Sequence, residues 1–491
     1  MRKLKAHILR EKGKLNRMFA KCVSVGRAGE LMRYPVMCQL QKIQKECPFE
    51  YIRFHGIFHE EMNVVRRNAE GKLEFCFLYT DMLFDMLLEH GLRPVCELGL
   101  MPDTMASEQK YVFWWKMNIS MPRDIAEWET LIEAFVAHLT ERYGEEEIKK
   151  WYFEVWNEPN HHGFFTEYKT PEAYFKLYEA AARAIKRVNP EYKVGGPASA
   201  GMVWVRETIE HCKSNGIPLD FVTSHSYGVK GDFDPDGNAI TVIKSADKIP
   251  EEMRVYGSLC HKENLPFIVT EWSSSYSPTD PVHDHYFSAP YQLHTLKKSE
   301  GYADMLSYWV FTDIFEETSP PTKPFHGGFG FINVQSVPKP IYHAYTFLAS
   351  LGETELFGAD ESSYICKSEK GVQILFWNIS LRQKQIDNKK YFAGEIPCES
   401  VGQTQITLGG FEAGKEYSVR RKTIGKNSGD PFSLYKTGAY GELTTREQVA
   451  SLIKDSTPRE ELFRAKASAD GTLEFALEQY ENQVDLLEIE F

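Results

Sequence analysis

No two of the nine cysteines in this chain stand in a Cys-x-x-Cys arrangement, and their number is odd. A disulfide framework is therefore not expected, and a reducing compartment fits best. Cys22, Cys76 and Cys96 fall among apolar neighbours and read as small buried hydrophobes. No apolar run approaches the roughly 20 residues needed to cross a bilayer. The opening Met1-Arg-Lys-Leu-Lys resembles the start of a signal peptide, but no apolar segment follows it. The expected location is therefore the cytoplasm, where the glycosylation patterns at Asn118-Ile-Ser and Asn378-Ile-Ser carry little weight. A basic excess is also missing. The 57 Lys and Arg against 69 Asp and Glu leave a net charge of −12, which argues against nucleic acid as a partner. No glycine-rich phosphate loop and no Gly-x-Ser-x-Gly elbow is found, so Ser273-Ser-Ser275 reads as a polar loop rather than a nucleophile.

What is present is an ordinary globular composition, 42% apolar and 26% charged, with 13% aromatic residues of the kind that stack on flat apolar faces such as sugar rings. At 491 residues the chain calls for one large domain and a smaller one. From about residue 19, short apolar segments alternate with amphipathic helices. The strand candidates are Ala20–Val25, Tyr51–Phe54, Pro94–Leu98, Trp151–Trp156, Tyr192–Gly195, Phe221–Ser224, Pro266–Thr270 and Met305–Phe311. Between them, Trp128, Leu131, Ile132, Phe135, Val136 and Leu139 form a helical stripe that Gly144 closes. A second helix starts at Thr170-Pro171 and runs its stripe from Tyr174 to Val188. Eight such units predict a (β/α)8 barrel over residues 17–345, with an open doubly wound sheet as the alternative.

Past residue 345 the pattern changes to short strands between Gly, Asn and Asp turns: Gln373–Trp377, Thr404–Thr407, Glu416–Arg420, Leu473–Ala476 and Val484–Phe491. This predicts a β-sandwich accessory domain over 346–491, interrupted by a helix near 445–454 and joined by roughly residues 1–16. Nothing between the two domains is of low complexity, so rigid docking is expected.

In a (β/α)8 barrel, chemistry collects at the carboxyl ends of the strands. Here those ends carry His55, Glu97, Asn157-Glu158-Pro159, His225-Ser-Tyr227, Glu271-Trp272, and Trp309 followed by Asp313 and Glu316-Glu317. Pro159 cannot continue a ladder, so it fixes the end of strand four. A lone Glu in such a place usually points into water, and a lone His55 or His225 is usually structural. Two carboxylates, Glu158 on strand four and Glu271 on strand seven, face each other across the mouth. That pairing suits glycosidic bond cleavage, in which one protonates the leaving oxygen and the other meets the charge growing at the anomeric carbon.

Strand four's Asn-Glu-Pro and strand seven's Thr270-Glu271-Trp272 resemble the signature of the retaining glycosidase clan. Within it the chain resembles glycoside hydrolase family 39, the β-xylosidase and α-L-iduronidase family, over about residues 19–350. The likeness includes Gly26-Arg-Ala-Gly-Glu, Tyr51-Ile-Arg-Phe-His-Gly, Val194-Gly-Gly-Pro-Ala, Ser224-His-Ser-Tyr-Gly and Asp280-Pro-Val-His-Asp. It continues through Tyr308-Trp-Val-Phe-Thr-Asp-Ile-Phe-Glu-Glu and Pro324-Phe-His-Gly-Gly-Phe-Gly. The resemblance implies Glu158 as acid/base and Glu271 as nucleophile. It implies Asn157 on the sugar 2-hydroxyl, with His55, His225, Tyr227, Trp309, Glu316 and Glu317 lining the sugar subsite.

The resemblance also implies no cofactor and no metal. His283-Asp-His285 looks like a ligand pair but lacks a third ligand at a fixed spacing. His161-His162, just after the acid/base, reads as a wall of the leaving-group subsite. Glu316 and Glu317 would repel a uronate, so a β-D-xyloside is expected rather than an iduronide, with arabinoside and galactoside open. A homo-oligomer, tetramer or dimer, is expected, and a non-catalytic sugar-binding barrel is the competing class.

Overall fold

The computed structural model describes residues 2–491. Eight parallel strands close into a barrel: β1 (Cys22–Arg27), β2 (Tyr51–His55), β3 (Arg93–Leu98), β4 (Tyr152–Val155), β5 (Lys193–Ala200), β6 (Phe221–Tyr227), β7 (Phe267–Ser273) and β8 (Met305–Tyr308). Each neighbours the next in sequence, and β8 pairs with β1. The open-sheet alternative is thereby excluded. All eight expected segments are strands, with ends shifted by a few residues, most at β5, which runs on to Ala200.

Eight long helices follow the strands: α1 (Tyr34–Glu46), α2 (Leu78–Glu89), α3 (Ile125–Tyr143), α4 (Glu172–Val188), α5 (Val205–Asn215), α6 (Lys248–Lys262), α7 (Ser288–Ser299) and α8 (Pro340–Ala349). In α3 the whole stripe from Trp128 to Leu139 is buried, Asp124 caps the first turn and Gly144 ends the helix at φ 82°. α4 begins one residue later than its Thr-Pro signal suggests, with Pro171 at the N-cap.

Alternation along the strands divides the barrel interior into layers. The lower layer is apolar, built from Cys22, Val95, Phe221, Ile268 and Met305 with Tyr51 and Tyr152 against it. Two residues further along β2 and β4 the inward positions are Arg53 and Glu154, both fully buried. The barrel therefore turns from greasy to charged along its axis, and the charged end carries the site.

Three short two-stranded pairs lie in the loops after β2, β3 and β6, and the remaining strands form two sheets. Ser400–Gly409 lies between Leu473–Tyr480 and the N-terminal strand Arg2–His7, which pairs with it in parallel. The larger sheet takes seven strands, among them Glu11–Lys14, Gly371–Trp377, Glu416–Ile424 and Val484–Glu490. Leu4, Ile365, Ile374, Ile406 and Leu487 join the two sheets in one core. On its other face the larger sheet packs Tyr364, Leu375 and Trp377 into the same apolar cluster as the barrel helices.

Three strands of the larger sheet carry no clear sequence signal: Thr354–Leu356, Ser363–Ser368 and the edge strand Arg459–Lys466. The last is exposed at most positions and charged at five of eight, a composition that protects an edge and hides it from pattern reading. Cys76 is only half-buried, contrary to expectation, whereas Cys22 and Cys96 are buried. Among the described residues no helix is long and apolar enough to cross a membrane.

Leu4 is fully buried in a strand that begins at residue 2. Leu4→Ala is expected to cost about 2–4 kcal/mol, read as a lower urea midpoint at unchanged slope. An unchanged midpoint would mean that the N-terminal strand contributes nothing to the core.

Candidate active site

Arg53 organises the upper barrel. Its Nε donates to Glu154 at 2.6 Å, its Nη1 to Glu271 at 2.8 Å, and its Nη2 to both Glu97 at 2.8 Å and Asn157 at 2.9 Å. All five residues are buried to at least 95%. A guanidinium suits this place because its fork of donors reaches several acceptors at once and keeps its charge in the dry interior. Thr270 supplies Glu154 with its second donor, at 2.8 Å.

Above this plane sit the two carboxylates singled out from the sequence. Glu271, near the end of β7, receives Arg53 on Oε1 and the Tyr227 hydroxyl on Oε2 at 2.7 Å. Glu158 receives no arginine. Its Oε1 lies 2.9 Å from His225 Nδ1, and its backbone N–H donates to Ala198 O at 2.9 Å. Trp156 (φ 70°), Glu158 (φ 43°) and Ala198 (φ 51°) all adopt left-handed backbone, unfavourable for side-chain-bearing residues. The indole Nε1 of Trp156 on Phe164 O, and Asn160 on the Ala200 backbone in both directions, hold this turn in place. The strained corner aims Glu158 back over the barrel rather than into water.

Burial pushes Glu158 well above the usual carboxylate range, and the nearby charge of Glu271 pushes it further. Burial raises Glu271 as well, but the charge of Arg53 and the hydrogen bond from Tyr227 counter it. Of the two, Glu158 keeps its proton more firmly. Burial lowers His55 to about 3 and takes His225 well below its ordinary value, so both rings are neutral. His55 Nδ1 lies 2.6 Å from Glu97, and its ring packs 4.6 Å from Trp309.

One ligand-type atom each from Glu158, Glu271 and His225 lies within 4.8 Å of the others. The trio has the composition of a metal site, but Arg53 already places a full positive charge on Glu271. With Glu158 driven toward neutrality, the arrangement favours protons over a cation. His283 and His285 are structural: His283 bonds the Gly327 and Ser275 carbonyls, and His285 Nδ1 accepts from Phe287 N–H. Asp284 between them pairs with Lys339 at 2.8 Å.

Glu158 and Glu271 open into a cavity of about 430 Å³, a size that suits a small ligand. His55, Tyr227, Trp309 and Glu317 line it, as do His161, Phe113, Phe164 and Lys248. Asn157 and His225 stand behind the catalytic-type pair, fully buried, with Asn157 Nδ2 and His225 Nε2 lacking protein partners. Glu316 corrects the sequence reading. It does not line the cavity, and its two oxygens are taken by Arg27 at 3.1 Å and by Arg33. Neighbouring side chains leave an extended segment in opposite directions, and here Glu317 is the one that turns inward.

Arg53, Glu154, Phe113, Phe164 and Lys248 were not foreseen. A readable signal existed for Arg53, an isolated charge in the apolar strand Tyr51-Ile-Arg-Phe-His on the same face as His55. Glu154 carried the same signal in Trp151-Tyr-Phe-Glu-Val-Trp, whereas Phe113, Phe164 and Lys248 had none, because they reach the cavity from loops and a helix start.

The family model for glycosyl hydrolases family 39 matches residues 2–474. This chain belongs to that family. It is 38% identical over 465 residues to a β-xylosidase of Caldicellulosiruptor saccharolyticus, covering 91% of this chain and 90% of that one. A β-xylosidase of Geobacillus stearothermophilus is 33% identical over 98% and 94%. A solved structure described as a monomeric β-xylosidase from Caulobacter crescentus superposes with a TM-score of 0.93 at 36% identity, covering 100% of this chain and 99% of that one. The α-L-iduronidase of Canis lupus familiaris is 25% identical over 42% of this chain. As a member of family 39, the protein is a glycosidase, which removes the non-catalytic barrel from consideration.

Arg53→Met leaves three buried carboxylates without their cation and is expected to cost about 3–5 kcal/mol in denaturant melts. Arg53→Lys keeps the charge but not the fork. Because Arg53 holds Glu271 down, the acid limb of the activity–pH profile is expected to move to higher pH in this variant. An unmoved limb would detach Arg53 from the ionisation of Glu271.

Proposed function

We propose that this family 39 enzyme is a retaining β-D-xylosidase that releases xylose from the non-reducing ends of xylosides and xylo-oligosaccharides. The observation that carries the mechanism is the closeness of Glu158 and Glu271, with an oxygen of each within 4.8 Å. Direct attack needs a separation of about 5–5.5 Å, whereas inversion needs about 6.5–9.5 Å to admit a water. The unequal environments of the two groups support unequal roles.

In the first step an oxygen of ionised Glu271 bonds to the anomeric carbon. The bond from that carbon to the leaving oxygen breaks, and Glu158 gives its proton to that oxygen. Glu271 is now a neutral ester, so the charge that helped hold Glu158 protonated is gone and Glu158 becomes a base. It takes a proton from water, the water oxygen attacks the anomeric carbon, and Glu271 departs as a carboxylate. Two inversions give retention. Asn157, whose Nδ2 has no protein partner, is suited to the sugar 2-hydroxyl, a contact that strengthens at the transition state.

Xylose is supported by the names of the two relatives matched over nine-tenths or more of both chains. A uronate would need a free cation beside the sugar. His55 is neutral, Arg27 and Arg33 are already committed to Glu30, Glu61 and Glu316, and the charge of Lys248 in the cavity wall is balanced by Glu252. The same residues on an α-L-arabinoside or β-galactoside are the second reading. We also carry forward the homo-oligomer implied by the family likeness, which light scattering tests directly. The Caulobacter relative is described as monomeric.

On a panel of aryl β-xyloside, α-arabinoside, β-galactoside and α-iduronide, the β-xyloside is expected to give the highest kcat/KM. Another sugar in first place would replace the substrate while keeping the chemistry. Glu271→Ala is expected to lose about 10⁴-fold or more in kcat, with azide restoring turnover to a glycosyl azide of inverted configuration. Glu158→Ala is expected to lose about 10²–10⁴-fold on poor leaving groups, and azide should then yield the retained anomer. Glu158 must be protonated in the free enzyme, so activity falls as pH rises through its elevated pKa. That alkaline limb should vanish in Glu158→Ala. Its persistence would assign the acid role elsewhere.

A further inference from the structure

We propose that Lys248 is a specificity-determining residue on the leaving-group side of the cavity, donating a hydrogen bond to a hydroxyl of the departing sugar unit. The assignment rests on Glu158 being the acid/base, because the proton it delivers goes to the leaving oxygen and so fixes which flank the leaving group occupies. Glu158 is tied to the β5 and β6 side of the barrel through Ala198 O and His225. The cavity wall on that side comes from Ala200 and Gly201 at the end of β5, Tyr227 and Val229 at the end of β6, and Lys248 at the start of α6. On this stretch of wall Tyr227 spends its hydroxyl on Glu271, which leaves Lys248 as the side chain with a donor to spare.

Lys248 is held rather than free. Its ammonium lies 2.9 and 3.0 Å from the two oxygens of Glu252, one turn along α6, and its side chain is 13% exposed. Glu252 in turn accepts from the Ser226 hydroxyl at 2.5 Å, on the strand between His225 and Tyr227. An ammonium has three donors, and Glu252 engages two of them. The third remains for a ligand, already oriented and with part of its side-chain freedom lost before binding. Because Glu252 balances its charge, Lys248 suits a neutral hydroxyl better than an anionic group. The favoured leaving group is therefore another sugar rather than an unsubstituted aryl alcohol.

The test compares xylobiose, whose leaving group carries hydroxyls, with phenyl β-D-xyloside, whose leaving group carries none. Lys248→Met is expected to reduce kcat/KM on xylobiose about tenfold more than on the phenyl glycoside, the loss of one charge-assisted hydrogen bond. Both rates are read on one preparation, so the folded fraction cancels. Lys248→Arg, which keeps a donor, is expected to recover most of the ratio and serves as the readout should the Met variant fold poorly. Equal losses on the two substrates would mean that Lys248 acts only through Glu252 and Ser226 on the barrel end, and would overturn the proposal. Turnover of neither substrate by the unmodified enzyme would overturn the parent reading and this one with it.

Discussion

A guanidinium with no water around it needs its charge met on every side, and in this barrel that requirement falls on Arg53. Glu97, Glu154 and Glu271 come from three different strands, and Asn157 follows the strand that carries Glu154. Satisfying one cation therefore fixes the relative height and rotation of β2, β3, β4 and β7 at the end where substrate enters. Replacing the set with apolar residues could give an equally stable barrel, since buried ion pairs are weak stabilisers. What such a barrel would lose is the ionised state of Glu271. Three carboxylates around one guanidinium also exceed its charge, and burial drives Glu97 well upward, so a neutral member relieves the excess.

Two glutamates a few ångströms apart have become chemically different through unequal neighbours. Glu271 has an arginine on one oxygen and a phenol on the other, while Glu158 has only a neutral imidazole and a strained backbone corner. Each also acts on the other, since the charge of Glu271 is part of what keeps Glu158 protonated. The proton affinity of one group is thus set by the covalent state of the other, which a two-step displacement uses directly.

The same physics explains what could be read from the chain. Barrel strands show because their apolar runs are covered on the outside, and their ends show because Asn157-Glu158-Pro159 and Glu271-Trp272 interrupt those runs. Alternation even places Arg53 beside His55. Strands that lie at a sheet edge, such as Arg459–Lys466, show nothing, because their stability comes from one neighbouring strand and their charges face solvent. Glu316 and Glu317 mark another boundary of the method. Adjacent and chemically identical, they part only where Arg27 and Arg33 draw one of them outward. Loop residues that reach the cavity from far along the chain, as Phe113 and Lys248 do, leave no periodic trace at all.

The cation-centred design recurs twice in the loops above the barrel. Arg27 is 2% exposed and meets Glu30 at 2.5 Å, Glu61 at 2.6 Å and Glu316 at 3.1 Å, with Trp115 stacked 4.9 Å away. It thereby binds the loops after β1, β2, β3 and β8 into one rim. Lys339, fully buried, meets Asp284, Asp313 and Gly328 O and does the same for the loops after β7 and β8. Both clusters anchor the segment that carries Glu317, the acidic wall of the cavity. A sugar-sized site needs walls fixed as firmly as its catalytic groups, because near-attack geometry tolerates errors of less than about 1 Å. Loops alone do not supply that precision. Three buried cations, one inside the barrel and two in its rim, turn loop residues into parts of a rigid frame, so that the cavity's shape follows from where positive charge has been buried.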